Sequence, residues 1–164
     1  MLKYFAGQHL DDQDDSWCLA ESRRLGSDYL NDIADDFIFN HDELEAVIDV
    51  ELTIRFSPRC AGSRYGVCYK RSNGSYDIMI NPRLLLFEEV VIAKTVLHEL
   101  CHIIYFDHSN EFWQLYLKVG GQLAVDLYCC FNVGEDIEKT VRRFGIEPSY
   151  VKRSDYWVGV PLTV

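Results

Sequence analysis

The sequence predicts an α+β fold: a small antiparallel β-sheet packed on a long buried helix and on a second helix that follows it. Apolar residues alternate through VIDVELTIRF, residues 47–56, at the period of a half-buried strand. Asn73-Gly74 lies between two short strand-like runs, and this dipeptide favours hairpins because a primed turn needs positive φ at both central positions. Residues 87–105 are apolar on nearly every side, the pattern of a helix buried all round.

The elements follow in order. MLKYFAGQHLDDQDD has no apolar h-region and turns acidic almost at once, unlike a signal peptide. Residues 1–16 are expected to form a flexible acidic leader in which Asp11, Asp12, Asp14 and Asp15 repel one another. From Ser16 to Phe39, Trp17, Leu25, Tyr29, Ile33 and Phe37 recur mainly at helical intervals, which predicts one helix, or two broken near Gly26. The strand over 47–56 places Ile48, Val50, Leu52, Ile54 and Phe56 on one face. Pro58 and Gly62 make the next turn, and strands at 64–70 and 75–80 form the hairpin. The long helix over 87–105 opens with Glu88 and Glu89, where the helix dipole favours negative charge. A second helix over 109–119 stops at Gly120-Gly121, a glycine C-cap. Residues 122–164 are read as short helices around 123–131 and 135–144 and an extended tail. No repeat or domain boundary interrupts the 164 residues, and 48% hydrophobic with 26% charged residues is the composition of one globular domain.

The 26 acidic against 16 basic side chains give a formal charge of −10. An acidic surface repels phosphate backbones, so direct nucleic-acid binding is disfavoured. Arg55, Arg59, Arg64, Lys70, Arg71 and Arg83 are the residues that could form a local basic patch, and a solvated face is the plainer reading of them. No apolar run approaches the ~18 residues a membrane-spanning helix needs. None of Cys18, Cys60, Cys68, Cys101, Cys129 and Cys130 forms a CxxC pair. Without a secretory signal, reduced and mostly buried thiols in the cytoplasm are expected.

The chemistry concentrates in HELCHIIYFDH, residues 98–108. On a helix, His98 and His102 lie about 40° apart on one face and roughly 6 Å apart along the axis, so two imidazoles can converge on one cation. Glu99 is rotated about 100° from His98 and can flank the metal without filling a coordination position. This is the HExxH arrangement, two zinc ligands and a general base on one helix. A hydrogen-bonded network of core histidines is the bland alternative. It is the weaker one, because Leu97, Leu100, Ile103 and Ile104 bury the helix and polar groups there must be satisfied, which a metal does at once. Catalytic zinc usually takes three protein ligands and keeps one open position. His108 is the preferred third ligand, reached if the chain turns after about Tyr105, and Asp107-His108-Ser109-Asn110 supplies helix-stop and cap residue types there. Glu111 is the alternative. One zinc per chain is expected, since the cysteines lack the paired spacing of a structural site.

INPRLLLFEEVVIAKTVLHELCHIIYFDHSNEFW resembles the zinc metallopeptidase core of the SprT-like and YgjP-like families. The shared features are Asn81-Pro82-Arg83-Leu84, the His98-Glu99-Leu100-Cys101-His102 helix, His108, and Phe112-Trp113. The stretch RFSPRCAGSRYGVCYKRSNGSYDIMI resembles the families' hairpin, including a turn at Ala61-Gly62, and the likeness covers about residues 48–118. It implies a minimal zincin-like domain with zinc on His98, His102 and His108 and with Glu99 as base. The chain departs from many SprT-like proteins in lacking a C-terminal cysteine zinc ribbon and any recognisable DNA-binding element. Their role at DNA–protein crosslinks is therefore not carried over. Residues 1–45 and 122–164 match nothing nameable.

The expected reaction is hydrolysis of peptide bonds in a protein or peptide substrate, with zinc activating water and Glu99 moving its proton. Tyr65, Tyr69, Tyr105 or Arg83 could donate to the oxyanion, and the sequence does not choose among them. Phe112 and Trp113 read as packing behind the zinc helix, and Cys101 as packing opposite Glu99. The hairpin edge could hold an extended substrate by strand addition. Two rivals stand beside this reading: a catalytically idle, zinc-binding acidic interaction or regulatory protein, and a regulatory protease of the repressor-cleaving HExxH type. Glu99 speaks against the first, because structural zinc needs no base.

Overall fold

The computed structural model describes residues 15–60, 64–87, 89–123, 139, 141–142 and 145–150. Asp11, Asp12, Asp14, the Ala61-Gly62 turn, Glu88, Cys129, Cys130, most of the expected helices after 123 and the tail lie outside these residues. Helix α1 (Asp15–Asn40) is two helical segments joined at Gly26, whose φ of 65° and ψ of −169° are not helical. A glycine takes that conformation without the steric cost other residues would meet. Asp15 and Ser16, expected in the leader, are its first residues. The buried face runs through Cys18, Ser22, Leu30 and Ala34, offset by one residue from the expected aromatic stripe. Small side chains let the helix approach closely, while Tyr29, Ile33 and Phe37 flank the contact and Trp17 stays 48% exposed.

After a 3-10 turn at Asp42–Leu44 comes a single helical turn, α2 (Glu45–Ile48). The expected strand over 47–56 is thus shortened to β1 (Leu52–Phe56), with Val47 buried and Ile48 61% exposed. Strands β2 (Gly66–Lys70) and β3 (Tyr76–Ile80) complete a sheet of order β1-β3-β2. The β2–β3 hairpin is antiparallel as expected, with Gly66 opposite Ile80 and Lys70 opposite Tyr76. β1 runs parallel to β3, with Leu52 opposite Tyr76 and Phe56 opposite Ile80, so the sheet is mixed rather than antiparallel throughout. The reason is placement. Asp77, Ile78, Met79 and Ile80 are all buried, so β3 takes the central position, with β1 on one side of it and β2 on the other. The hairpin loop is Ser72-Asn73-Gly74 rather than a two-residue primed turn. Arg71 N–H donates to Ser75 O at 2.8 Å, Gly74 N–H to Arg71 O at 3.0 Å, and Gly74 has φ of 88°.

A 3-10 segment, Pro82–Leu86, leads into α3 (Glu89–Ile104), and α4 (Asn110–Lys118) follows. Helix α3 lies between two cores. Val91, Ile92, Val96 and Leu100 join Leu30, Ala34, Ile54, Cys68, Ile78 and Ile80 under the sheet. On its other side, Leu97 and Cys101 join Leu44, Phe112, Trp113, Tyr116, Val119, Leu123, Val141 and Ile146. At roughly 1.5–3 kcal/mol per large apolar side chain, this double burial dominates what fixes the helix. Of the six basic residues named above, Arg55 and Arg71 both pair with Asp77, at 3.0 Å each, and Arg83 pairs with Asp15 at 2.5 Å. Among the described residues, no helix is long and apolar enough to cross a membrane.

Candidate metal centre

The N-terminal approach to α3 is built by the Asn-Pro-Arg-Leu segment. Asn81 is 2% exposed. Its Oδ1 accepts from Arg83 N–H at 3.0 Å and its Nδ2 donates to the Arg64 carbonyl at 2.9 Å. Pro82 starts the 3-10 turn, where a missing N–H costs nothing, and Leu84 is fully buried. Arg83 donates two hydrogen bonds to Asp15, at 2.5 and 2.9 Å, so α1 is clamped to the segment that launches α3.

Helix α3 ends at Ile104, and three exposed residues, Tyr105, Phe106 and Asp107, lead to His108. Ser109 caps α4, its hydroxyl accepting from Phe112 N–H at 3.3 Å. At the other end Gly120, with φ of 98°, and the 2.7 Å bond from Gly121 N–H to Tyr116 O close α4 as a Schellman turn. The short excursion between the helices is the turn that His108 requires. His98 Nε2 and His108 Nε2 are 2.9 Å apart, and His102 Nε2 is 3.1 Å from each. Three imidazole nitrogens converging this closely form a donor set that could hold a metal ion. Glu111 is exposed and stands outside this group.

The rings are held from behind and from the side. Phe112, fully buried, packs its ring 4.8, 4.5 and 4.9 Å from those of His98, His102 and His108. Trp113 stacks on His108 at 5.4 Å, and Tyr116 meets His98 edge-on at 5.6 Å. Phe112 and Trp113 are thus core packing, as expected, and also the wall against which all three imidazoles are set. His102 Nδ1 lies 3.0 Å from the Tyr105 carbonyl. A carbonyl only accepts, so Nδ1 carries the proton and Nε2 presents its lone pair to the cluster. No sequence signal marks that contact, because the acceptor is main chain.

Glu99 is 5% exposed, a burial that costs a carboxylate several kcal/mol unless compensated. Gly66 of β2 lies close against it: a Cβ there would stand 2.8 Å from Glu99 Oε1 and 2.9 Å from Glu99 Cγ. Two thiols lie in its field. Burial, with Glu99 adding to it, pushes Cys60 up to about 11 and Cys68 up to about 12, so neither offers a thiolate near neutral pH. Cys101 is fully buried in the second core, on the side away from the sheet. Of the four oxyanion candidates, Tyr69 pairs with Asp77 across the hairpin and points to the sheet face opposite Cys68 and α3. Arg83 is engaged by Asp15. Tyr65 and Tyr105 remain.

A family model described as YgjP-like, metallopeptidase domain, matches residues 21–122. The match reaches beyond residues 48–118 on both sides, taking in most of α1 and the glycine turn that closes α4. No curated protein and no solved structure matches the chain.

Proposed function

From the premise that the chain belongs to the YgjP-like metallopeptidase domain family, we propose that it is a zinc-dependent endopeptidase with Glu99 as general base. The observation that carries this reading is the triangle of Nε2 atoms, 2.9–3.1 Å on each side. Tetrahedral zinc with ligands at about 2.0–2.1 Å spaces its nitrogens about 3.3 Å apart, within a few tenths of an ångström of what His98, His102 and His108 present. An all-imidazole donor set suits zinc better than the hard, oxygen-preferring cations. When bound, zinc supplies Lewis acidity, polarising a carbonyl and lowering the pKa of water to about 7.

The rest of the chemistry falls to the chain. Glu99 accepts a proton from the water that attacks the scissile carbonyl carbon. It passes that proton to the leaving amine nitrogen as the C–N bond breaks. Phe112, Trp113 and the Tyr105 carbonyl keep the imidazoles in place, so little reorganisation accompanies the reaction. Among the described residues β2 borders only β3 in the sheet, and it lies beside Glu99 through Gly66. An extended substrate adding to its outer edge would bring a peptide bond alongside the carboxylate.

Glu99→Gln tests the reading, because an amide cannot take the proton. The variant is expected to keep one zinc per chain by elemental analysis. It should cleave denatured, fluorescein-labelled casein at least ~100-fold more slowly than wild type. Cleavage at the wild-type rate would remove Glu99 as base. A zinc-loaded wild type that cleaves nothing would favour the idle acidic binding protein instead.

A further inference from the structure

We propose that Gly66 is a positioning residue for Glu99, the residue whose missing side chain fixes where the carboxylate sits. The inference rests on Glu99 being the base. Gly66 occupies an ordinary paired position of β2, opposite Ile80, and its φ is not in the left-handed region that favours glycine. Backbone conformation therefore does not call for glycine there. Space does. A Cβ on residue 66 would meet Glu99 Oε1 at 2.8 Å, Glu99 Cγ at 2.9 Å and Thr95 Cγ2 at 3.0 Å, whereas ordinary carbon contacts begin near 3.5 Å.

Glycine in a strand often marks the close approach of another group, and here that group is the carboxylate. The neighbours have little room to yield. Thr95 is 3% exposed and its Oγ1 donates to the Val91 carbonyl at 2.7 Å. Glu99 itself is 5% exposed. One methyl group on β2 would thus displace the carboxylate by roughly 0.5–1 Å. Misplacement on that scale costs on the order of 100-fold in rate when geometry limits the reaction. The His98–His102–His108 triangle does not include β2, so the metal donors stay in place while the base moves.

Gly66→Ala is expected to retain its zinc and to lose on the order of 10- to 100-fold in kcat on denatured, fluorescein-labelled casein, with KM within about twofold. Glu99→Asp alone, one methylene short, is also impaired. Added to Gly66→Ala it should restore part of the lost kcat, because the shorter side chain makes room for the methyl group. A second readout needs no hydrolysis. In metal-free protein Gly66→Ala should lower the melting temperature by several degrees, and Glu99→Ala, which removes Cγ and the carboxylate, should abolish most of that loss. If Gly66→Ala does not fold, the Gly66→Ala/Glu99→Ala protein decides: folding supports the contact and failure to fold overturns it. Wild-type kcat in Gly66→Ala, no rescue by Asp, or an equal melting loss with and without Glu99 also overturns it. The glycine then serves helix–strand packing alone. Should Glu99→Gln cleave like wild type, or wild type leave the casein intact, the base assignment falls first and takes this proposal with it.

Discussion

His108 joins the other two imidazoles only because Ile104 is the last residue of α3 and Ser109 already caps α4. That geometry separates the two candidates for the third ligand. His108→Ala should weaken zinc affinity by more than about 100-fold, beyond what loss of an outer-sphere partner does. Glu111→Ala should leave it within about twofold. Competition with a chromophoric chelator measures both, and the reverse ranking would reassign the ligand. The residues of this cluster were legible because HExxH fixes two donors on one helical face and a polar run announces a turn. Gly66 and the Tyr105 carbonyl were not. One acts by lacking a side chain and the other through main chain, and both depend on contacts between elements that spacing along one chain does not encode.

Among the elements, the hairpin shows how a charge cluster closes a sheet face. Asp77 is 7% exposed and takes hydrogen bonds at 3.0 Å from Arg55 on β1 and from Arg71 beyond β2. Burial alone would raise its pKa, but the two arginines outweigh burial and hold it below the ordinary Asp value. Folding therefore favours the charged form. The stabilisation is complete above about pH 4, the ordinary Asp value, and is lost as pH falls through the lower folded value. The arginine side chains are 44% and 50% exposed, so screening keeps the gain modest. Asp77→Asn should cost about 1–2 kcal/mol at pH 7, and urea unfolding should show the gap to wild type narrowing below about pH 4. A gap that stays constant into strong acid would rule out the charge as its source. The alternation at 52–56 was readable, because period 2 belongs to any half-buried strand. The partner was not, since the same alternation serves parallel and antiparallel neighbours. Nor was the helical turn at 45–48, since a short apolar run is ambiguous between helix and strand.

Across the whole molecule, α3 belongs to both cores and carries two of the three imidazoles, while the third hangs from the entry to α4. A metal held by all three would tie α4 and the second core to the helix under the sheet. Binding only the folded chain, zinc at about 100 times its Kd adds roughly 2.7 kcal/mol, or a melting shift of roughly 5–10 °C for a domain of this size. Chelation with verified metal removal should reverse that shift, and an unchanged melting curve would mean that the metal has no preference for the folded chain. The α+β class was legible at this scale from three strand signals beside long helical periods. The division into two cores was not, because nothing local says which side of α3 meets which partner. The exposed linker at 105–107 and the hairpin loop at 72–74 look alike as surface segments, each three residues long. Over generations they face different rules. The hairpin loop can gain or lose residues, as exposed loops commonly do, so long as β2 and β3 keep the register that sets Gly66 opposite Ile80. The linker returns His108 to within 2.9 Å of His98 and 3.1 Å of His102, so a single codon inserted or deleted there is expected to carry the third imidazole out of the cluster, whereas a change of letter at 105–107 leaves the count, and with it the reach, intact.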